Sequence, residues 1–376
     1  MNCTTFSNTG KENRSGDERR LPSPVLNTRR TFLHGPLRSK SGKYAGKSHH
    51  YDLPAMKRLP FFLSMGSCPR RCIYCHQGEI TGTYSIPSPE DVLRTVSAFD
   101  SPCEICFFGG SFTCFPPEKQ QQYLEAVFAA PSGSTVRFST HPECISGAVL
   151  KEAGRYPVSM IELGISSLDD EVLKACNRGY SGEEALASLR TVLDEGFHAG
   201  AQMMIGLPGQ TRESSLQDLR RIDEIRKGRP VTIRIYPCLV LEKTPLAELW
   251  REGKYSPLSV SDAAVWAGKL LTEARRLGFS VQRIGLHESE SLSRSVIAGP
   301  HHPSFGELAR SAGLSLSLKT ENPEGPWDVP SRSMSLLTGH GEHGFRLLSE
   351  ITGLPLSETK RRVFFSNGDT VQPKFI

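Results

Sequence analysis

From Met56 onward, apolar and polar residues follow two rhythms in alternation. Short β-rich runs fall at 59–63, 103–108, 135–139, 159–164, 199–205 and 231–236. Between them the apolar positions take helical spacing, over 89–99, 118–128, 145–154, 169–176, 183–195 and 214–226. The first of these helices opens with Ser-Pro-Glu-Asp: Ser88 can cap it, Pro89 suits the first helical position, and Asp91 can complete a capping box. A longer helix over 263–277 leads to a seventh strand at 281–285. Strands alternating with helices predict an α/β fold, a parallel sheet under helical cover. Six such units in a row predict a partial (β/α)6 barrel rather than a Rossmann sheet.

The pattern divides the chain into three parts. Residues 1–55 are rich in Ser, Gly, Arg and Lys with almost no periodicity, and read as a disordered tail. Residues 56–286 carry the barrel pattern. After Leu286 the pattern loosens: "IAGPHHPSFGELARS" and "NPEGPWDVPSRS" read as loops in a small C-terminal appendage over 287–376. Charge follows the same division. The 376-residue chain has net charge +5, but residues 1–55 alone hold ten Lys/Arg against four Asp/Glu. The remainder is close to neutral. Any basic arm for RNA is therefore confined to the tail, which reads rather as a solvated leader or as text upstream of a start at Met56.

Composition narrows the class. Hydrophobic residues are 38% and charged residues 23%, a globular balance. No apolar run reaches the roughly 18 residues of a membrane helix, and the start lacks the form of a secretory signal. Ten cysteines in this length are too dilute for a secreted disulfide scaffold, so the expected compartment is a reducing cytoplasm.

Three of those cysteines are not dilute. In "SMGSCPRRCIYCHQGEITG", Cys68, Cys72 and Cys75 form C-x3-C-x2-C in the loop after the first strand. Zinc asks for four ligands, and no second pair follows nearby. A 4Fe–4S cluster normally takes four cysteines, so three leave one iron open for a substrate or cofactor. Other Gly-, Pro- and polar-rich segments follow the C-terminal ends of the later strands: "FFGGSFT", "STHPE", "GISSLDDEVLKACNRGY", "IGLPGQT" and "IYPCLVLEKTPL". Barrel enzymes place their active sites at that end of the strands.

Cys68, Cys72 and Cys75, with the aromatic Tyr74 before the last cysteine, resemble the radical S-adenosylmethionine (SAM) superfamily. The resemblance implies a 4Fe–4S cluster on these three cysteines and SAM on its open iron. It also implies reductive cleavage to a 5′-deoxyadenosyl radical that abstracts hydrogen, fed by an electron donor of flavodoxin or ferredoxin type. Gly109, Gly110 and Ser111 resemble the family's glycine-rich SAM motif, where a close backbone can hold the SAM ammonium. Arg178 matches the arginine that pairs with the SAM carboxylate, as a guanidinium suits that group. Ser166 stands where relatives of oxygen-independent coproporphyrinogen III oxidase carry glutamine. Gln202 falls where relatives place an acidic residue for the ribose, and Tyr74 reads as an adenine-stacking ring or a core aromatic.

"FFGGSFT", "IELGISS", "GLPGQT", "RIYPCLVL" and "AGPHHPSFGEL" further resemble short bacterial relatives of the Elongator catalytic subunit, which modify the tRNA wobble uridine. The segment after Leu286 is too short for the acetyltransferase domain of that group, and no second cluster motif is present.

Other residues read less specifically. Cys114, Cys144 and Cys238 fall in mouth loops, as auxiliary ligands, thiols or small apolar filler. Cys103 and Cys106 read as packing. His301 and His302 with Glu307 are candidates for a phosphate or metal, or for plain surface residues. Three functions stay open: a radical SAM enzyme acting on RNA such as a tRNA uridine, the same chemistry on a small molecule such as a tetrapyrrole, and a non-catalytic iron–sulfur or haem carrier. No membrane partner is expected.

Overall fold

A computed structural model describes residues 56–367; the tail expected over 1–55 lies outside the described residues. Strands β1 (Lys57–Phe62), β2 (Cys103–Phe108), β3 (Thr135–Thr140), β4 (Val158–Ser166), β5 (His198–Ile205) and β6 (Val231–Pro237) lie side by side in chain order. The two-residue strand β7 (Val240–Leu241) pairs with β9 (Val296–Ala298) apart from them. β8 (Ser280–Ile284) closes the main sheet against β6, and every pair in it is parallel. The result is a curled half-barrel whose β1 and β8 edges do not meet. The strand expected at 281–285 thus adds a seventh parallel member to the six-unit barrel.

Helices α1 (Gln77–Thr81) and α2 (Pro89–Ser97) link β1 to β2; α3 (Pro117–Ala126), α4 (Gly147–Ala153), α5 (Asp170–Ala175), α6 (Gly182–Asp194) and α7 (Arg212–Arg226) connect the later strands. After β7 come α8 (Pro245–Arg251) and α9 (Val260–Arg276). Their starts follow local chemistry. Ser88 and Asp91 form the expected capping box at α2, and Ser181 with Glu184 form another at α6.

Period two along the strands sorts their side chains onto two faces. Ile105, Phe107, Val136, Phe138, Ile161, Leu163, Ala201 and Ile233 enter one core with Val92, Leu124, Leu189, Leu219 and Ala263 of the helices. The alternate positions, among them Glu104, Arg137, Glu162, Gln202 and Arg234, face the inside of the curl. Cys103 and Cys106 are both buried, as expected of packing residues.

Beyond β8, α10 (Glu290–Ser295) precedes α11 (Phe305–Glu321), a 17-residue helix that begins inside text read as loop. Phe305, Leu308 and Ala309 join the main core. A Cβ on Gly268 of α9 would lie 2.7 Å from the Gly313 nitrogen, so the two backbones touch at a small-residue crossing. β10 (Trp327–Pro330), α12 (Met334–Thr352), α13 (Leu356–Arg362) and β11 (Val363–Ser366) complete the described chain. Leu314, Trp327, Val329, Leu337, Phe345, Leu348 and Val363 form a second core there. α12 is broken at Gly339–Glu342, where His340, Gly341 and Glu342 adopt positive φ in succession. Among the described residues no helix is long and apolar enough to cross a membrane.

Candidate active site

The three motif cysteines lie in the loop between β1 and α1, at the C-terminal end of the sheet. Main-chain bonds hold this loop open toward the mouth. Leu63 donates to the Phe108 carbonyl, Met65 to Gly109, Cys75 to Cys72, and Ile73 to Cys176, while the Ile73 carbonyl accepts from Leu246. The loop is thereby joined to the segments after β2, β4 and β7.

Each thiol meets a polar side chain from a different place. Cys68 Sγ is 3.5 Å from Ser111 Oγ, Gln77 Nε2 donates to Cys75 Sγ at 3.4 Å, and Arg178 Nη1 donates to Cys72 Sγ at 2.9 Å. Burial pushes the Cys75 thiol up to about 12, and the nearby Cys72 sulfur adds to the shift. Burial also raises Cys68, opposed by its bond to Ser111. Deprotonated, these sulfurs repel one another, and a cation between them relieves that repulsion. No three His, Cys, Asp or Glu side chains among the described residues converge as ligands of one ion would. Three thiols on one loop, each with its own donor, instead fit a cluster in which each cysteine takes a different iron.

The remaining expected residues surround this loop. Gly109 has φ +77°, and a Cβ on Gly110 would lie 2.4 Å from the Leu63 carbonyl oxygen. Both glycines are therefore required by the backbone itself, one by its left-handed conformation and one by close approach. Ser111 is buried, and its carbonyl accepts from Ser67 Oγ at 2.6 Å. Ser166 sits at a register shift between β4 and β5 with φ +64°. That conformation costs a non-glycine residue about 1–2 kcal/mol, and it aims Ser166 Oγ at the Tyr74 hydroxyl, 2.9 Å away. Burial pushes the Tyr74 hydroxyl well up. Gln202, on β5, is the sheet partner of Arg234 on β6.

Arg178 is almost fully buried. Besides Cys72 it donates to the Gly164 carbonyl, and to the Tyr180 hydroxyl from Nε at 3.0 Å and from Nη2 at 2.8 Å. Tyr180 in turn donates to the Gly164 or Ile165 carbonyl, at 2.8 and 2.7 Å. Burial works against the Arg178 charge, but Tyr180, Tyr74 and Cys72 outweigh it and raise its pKa. Tyr180 orients the arginine; it stands in the quoted "RGY" text, yet sequence alone gave it no role.

A second residue missed by sequence is His141, after β3. Its ring packs edge-on to Tyr180 at 4.9 Å, is buried, and has neither nitrogen in hydrogen-bond geometry with a partner. Burial, reinforced by Arg178 and Arg70, pushes its pKa down to about 3.

One expectation needs correction. Cys114 and Cys144 are neither filler nor free thiols: they form a disulfide between the loops after β2 and β3. Arg70 of the cysteine loop pairs with Glu143 beside that bridge, at 3.1 Å. Cys238 is buried apolar filler, in a cluster with Cys176, Tyr255 and the partly buried Tyr74. His301 bonds Glu288 at 3.1 Å, and Glu307 bonds His340 at 2.5 Å rather than either of the adjacent histidines.

Comparison with known proteins points to a family. Residues 63–222 match the family model of the radical SAM superfamily, and residues 230–312 match a radical SAM C-terminal domain. The chain is 23% identical over 314 residues to the tRNA uridine(34) acetyltransferase of Methanocaldococcus infernus, covering 67% of this chain and 59% of that protein. It is 29% identical over 242 residues to the Methanocaldococcus jannaschii enzyme of that name, covering 52% of this chain and 45% of the relative. Human Elongator complex protein 3 matches at 27% over 188 residues, 45% of this chain and 34% of the relative. The chain thus spans about half the length, or less, of these relatives. In structure it resembles the archaeal M. infernus Elp3 lacking its N-terminus, with TM-score 0.52 and 21% identity over 68% of this chain and 61% of that one. That likeness concerns the fold.

Proposed function

This chain belongs to the radical SAM superfamily, whose enzymes use a 4Fe–4S cluster and SAM, and from that premise we propose that it is an Elongator-like enzyme acting on RNA, with a tRNA uridine as the substrate class. The observation that carries the reading is the set of three thiols in one loop, each hydrogen-bonded by a residue from a different segment. Cys68, Cys72 and Cys75 would hold the cluster. When bound, the cluster supplies the electron that cleaves SAM, and the rest of the reaction is a matter of placement.

This chain's own residues do the placing. Gly109 and Gly110 bring bare backbone to the mouth, with Ser111 fixing the loop against Cys68. Arg178 sets a positive charge beside Cys72, oriented by Tyr180, with one Nη1 hydrogen left to offer a carboxylate. Ser166, Tyr74 and Gln202 offer hydroxyl, ring and amide contacts to the adenosyl part. A reductant of flavodoxin or ferredoxin type is the partner this chemistry requires. The names of the relatives support a tRNA uridine.

The test is anaerobic reconstitution of the full chain, followed by SAM and dithionite with and without tRNA. We expect about four irons per chain, 5′-deoxyadenosine that increases with tRNA, and loss of both iron and product in Cys72→Ala. A loaded cluster that never cleaves SAM would leave a carrier as the remaining reading. Cleavage indifferent to tRNA at low salt would remove RNA as substrate.

A further inference from the structure

Arg234 has no role in the SAM contacts proposed above, yet it stands among them. It is the sheet partner of Gln202. Its side chain crosses the inside of the curl from β6 toward β2, where its guanidinium carbon lies 5.3 Å from the centroid of the Phe108 ring. Phe108 directly precedes Gly109 and Gly110.

The guanidinium is only partly used. Nη2 donates to Glu162 Oε1 at 2.8 Å, and Nη1 reaches the Tyr236 hydroxyl at 3.3 Å. Nε is buried and has no hydrogen-bond partner. A guanidinium presents five donors in one plane, and Glu162 and Tyr236 take only one hydrogen from each terminal nitrogen, so donors remain unused on both.

The charge around it is also unbalanced. Arg137 donates to Glu104 Oε1 through Nε and Nη2, at 2.9 and 2.7 Å. Its Nη1 donates to Glu162 Oε1 at 2.8 Å and to Gln282 Oε1 at 3.0 Å. Arg58 takes the other oxygen of Glu104 at 2.8 Å, with most of its side chain in water. Three guanidinium groups therefore face two carboxyl groups, leaving at least one positive charge in excess. Arg137 holds both carboxylates and Arg58 has solvent. Arg234 shares a single oxygen of Glu162 with Arg137, and its side chain is 16% exposed. The excess charge is therefore concentrated at Arg234, within reach of the inner space. A largely buried cation with unused donors fits a planar or tetrahedral oxyanion, because charge-assisted bonds are strongest where water is scarce.

We propose that Arg234 anchors an oxyanion of the substrate, a phosphate or a carboxylate, on the inner face of the half-barrel. The proposal rests on the radical SAM reading of the same site and adds what the substrate must carry. Arg234 acts as a binding residue; hydrogen abstraction does not pass through it.

The test compares anions with their neutral counterparts by calorimetric titration of the reconstituted full chain, with SAM and no reductant. Uridine 5′-monophosphate is set against uridine for the phosphate, and acetate against acetamide for the carboxylate. We expect one anion to bind at least about tenfold tighter than its neutral counterpart, and which pair shows the preference identifies the group. The preference falls to within about twofold in Arg234→Gln. Arg234→Lys keeps the charge facing Glu162 but loses the fork, and is expected to lose at least about threefold; it decides the matter if the glutamine variant does not fold. A preference undiminished in the variants that fold, or absent from the wild type in both pairs, overturns the proposal. The titration is repeated on metal-free chain. A failure to load iron, which would sink the family chemistry, is then separate from a failure to bind anions.

Discussion

Arg137 and Phe138 are neighbours on β3, and both are buried. Phe138 turns toward the helices and stacks on Phe112 with ring centroids 4.7 Å apart. Arg137 turns inward and is held by two glutamates. The helix-covered face is a core of hydrocarbon that any well-packed sequence of similar volume could supply. The inner face is a network of charges that must be desolvated to exist at all, and that hydrocarbon of the same volume would replace at little loss or some gain. The first face is explained by stability. The second is not, and its charges point to something that binds there.

The largest effects should fall on this pair. Arg137→Ala and Phe138→Ala should each destabilise by about 3–5 kcal/mol, the one by stranding buried carboxylates and the other by leaving a cavity. The two then part: replacing Glu104, Arg137, Glu162 and Arg234 together by Leu, Met, Leu and Met, so that no buried charge loses its partner, should restore stability to within about 1 kcal/mol of wild type or exceed it. Urea midpoints measure this, and a quadruple variant as unstable as Arg137→Ala would erase the distinction between the faces.

At the mouth end, Gly110→Ala forces a methyl into the Leu63 carbonyl and should cost up to about 3 kcal/mol. It should also lower iron retention, since Leu63 opens the cysteine loop. Normal iron binding with normal stability would show that the loop can move aside.

His141 sharpens the comparison through pH. Its folded pKa, about 3, lies below the ordinary histidine value. As pH falls the unfolded chain takes up this proton first, so the contribution to stability is full above about 6.5 and declines toward pH 3. Going from pH 7 to 5 should cost about 2 kcal/mol through this residue. His141→Phe, which keeps a ring against Tyr180, should flatten that part of the profile; an unchanged slope would place the titration elsewhere. The smallest effect is expected for Tyr74→Phe, which loses the bond to Ser166 and about 1 kcal/mol of stability by thermal or chemical denaturation.

The helix-covered face was legible from sequence because its residues are apolar at period two, and all seven strands fall within two residues of their expected ends. The cysteine loop was legible because three thiols in eight positions have few other uses. The inner network was not. Glu104, Arg137, Glu162 and Arg234 are charged residues on four separate strands, and only the curl brings them together. α11 escaped for a different reason: it meets α9 through Ala309, Ala312 and Gly313 and bonds α12 through Ser311 and Ser315, residues too small and too polar to register as an amphipathic stripe. The Cys114–Cys144 bridge joins positions 30 residues apart with no local signal.

One main-chain bond has a consequence in time. The cysteine loop is tied to Leu246 through the Ile73 carbonyl, across about 170 residues of chain. At ribosomal rates of about 5–20 residues per second, Ile73 is made roughly 9–35 s before that partner. Through that interval the three thiols belong to an unfinished loop, soft metal ligands without their final surroundings. The order of synthesis therefore leaves the cysteine loop without one of its anchors until α8 has been made.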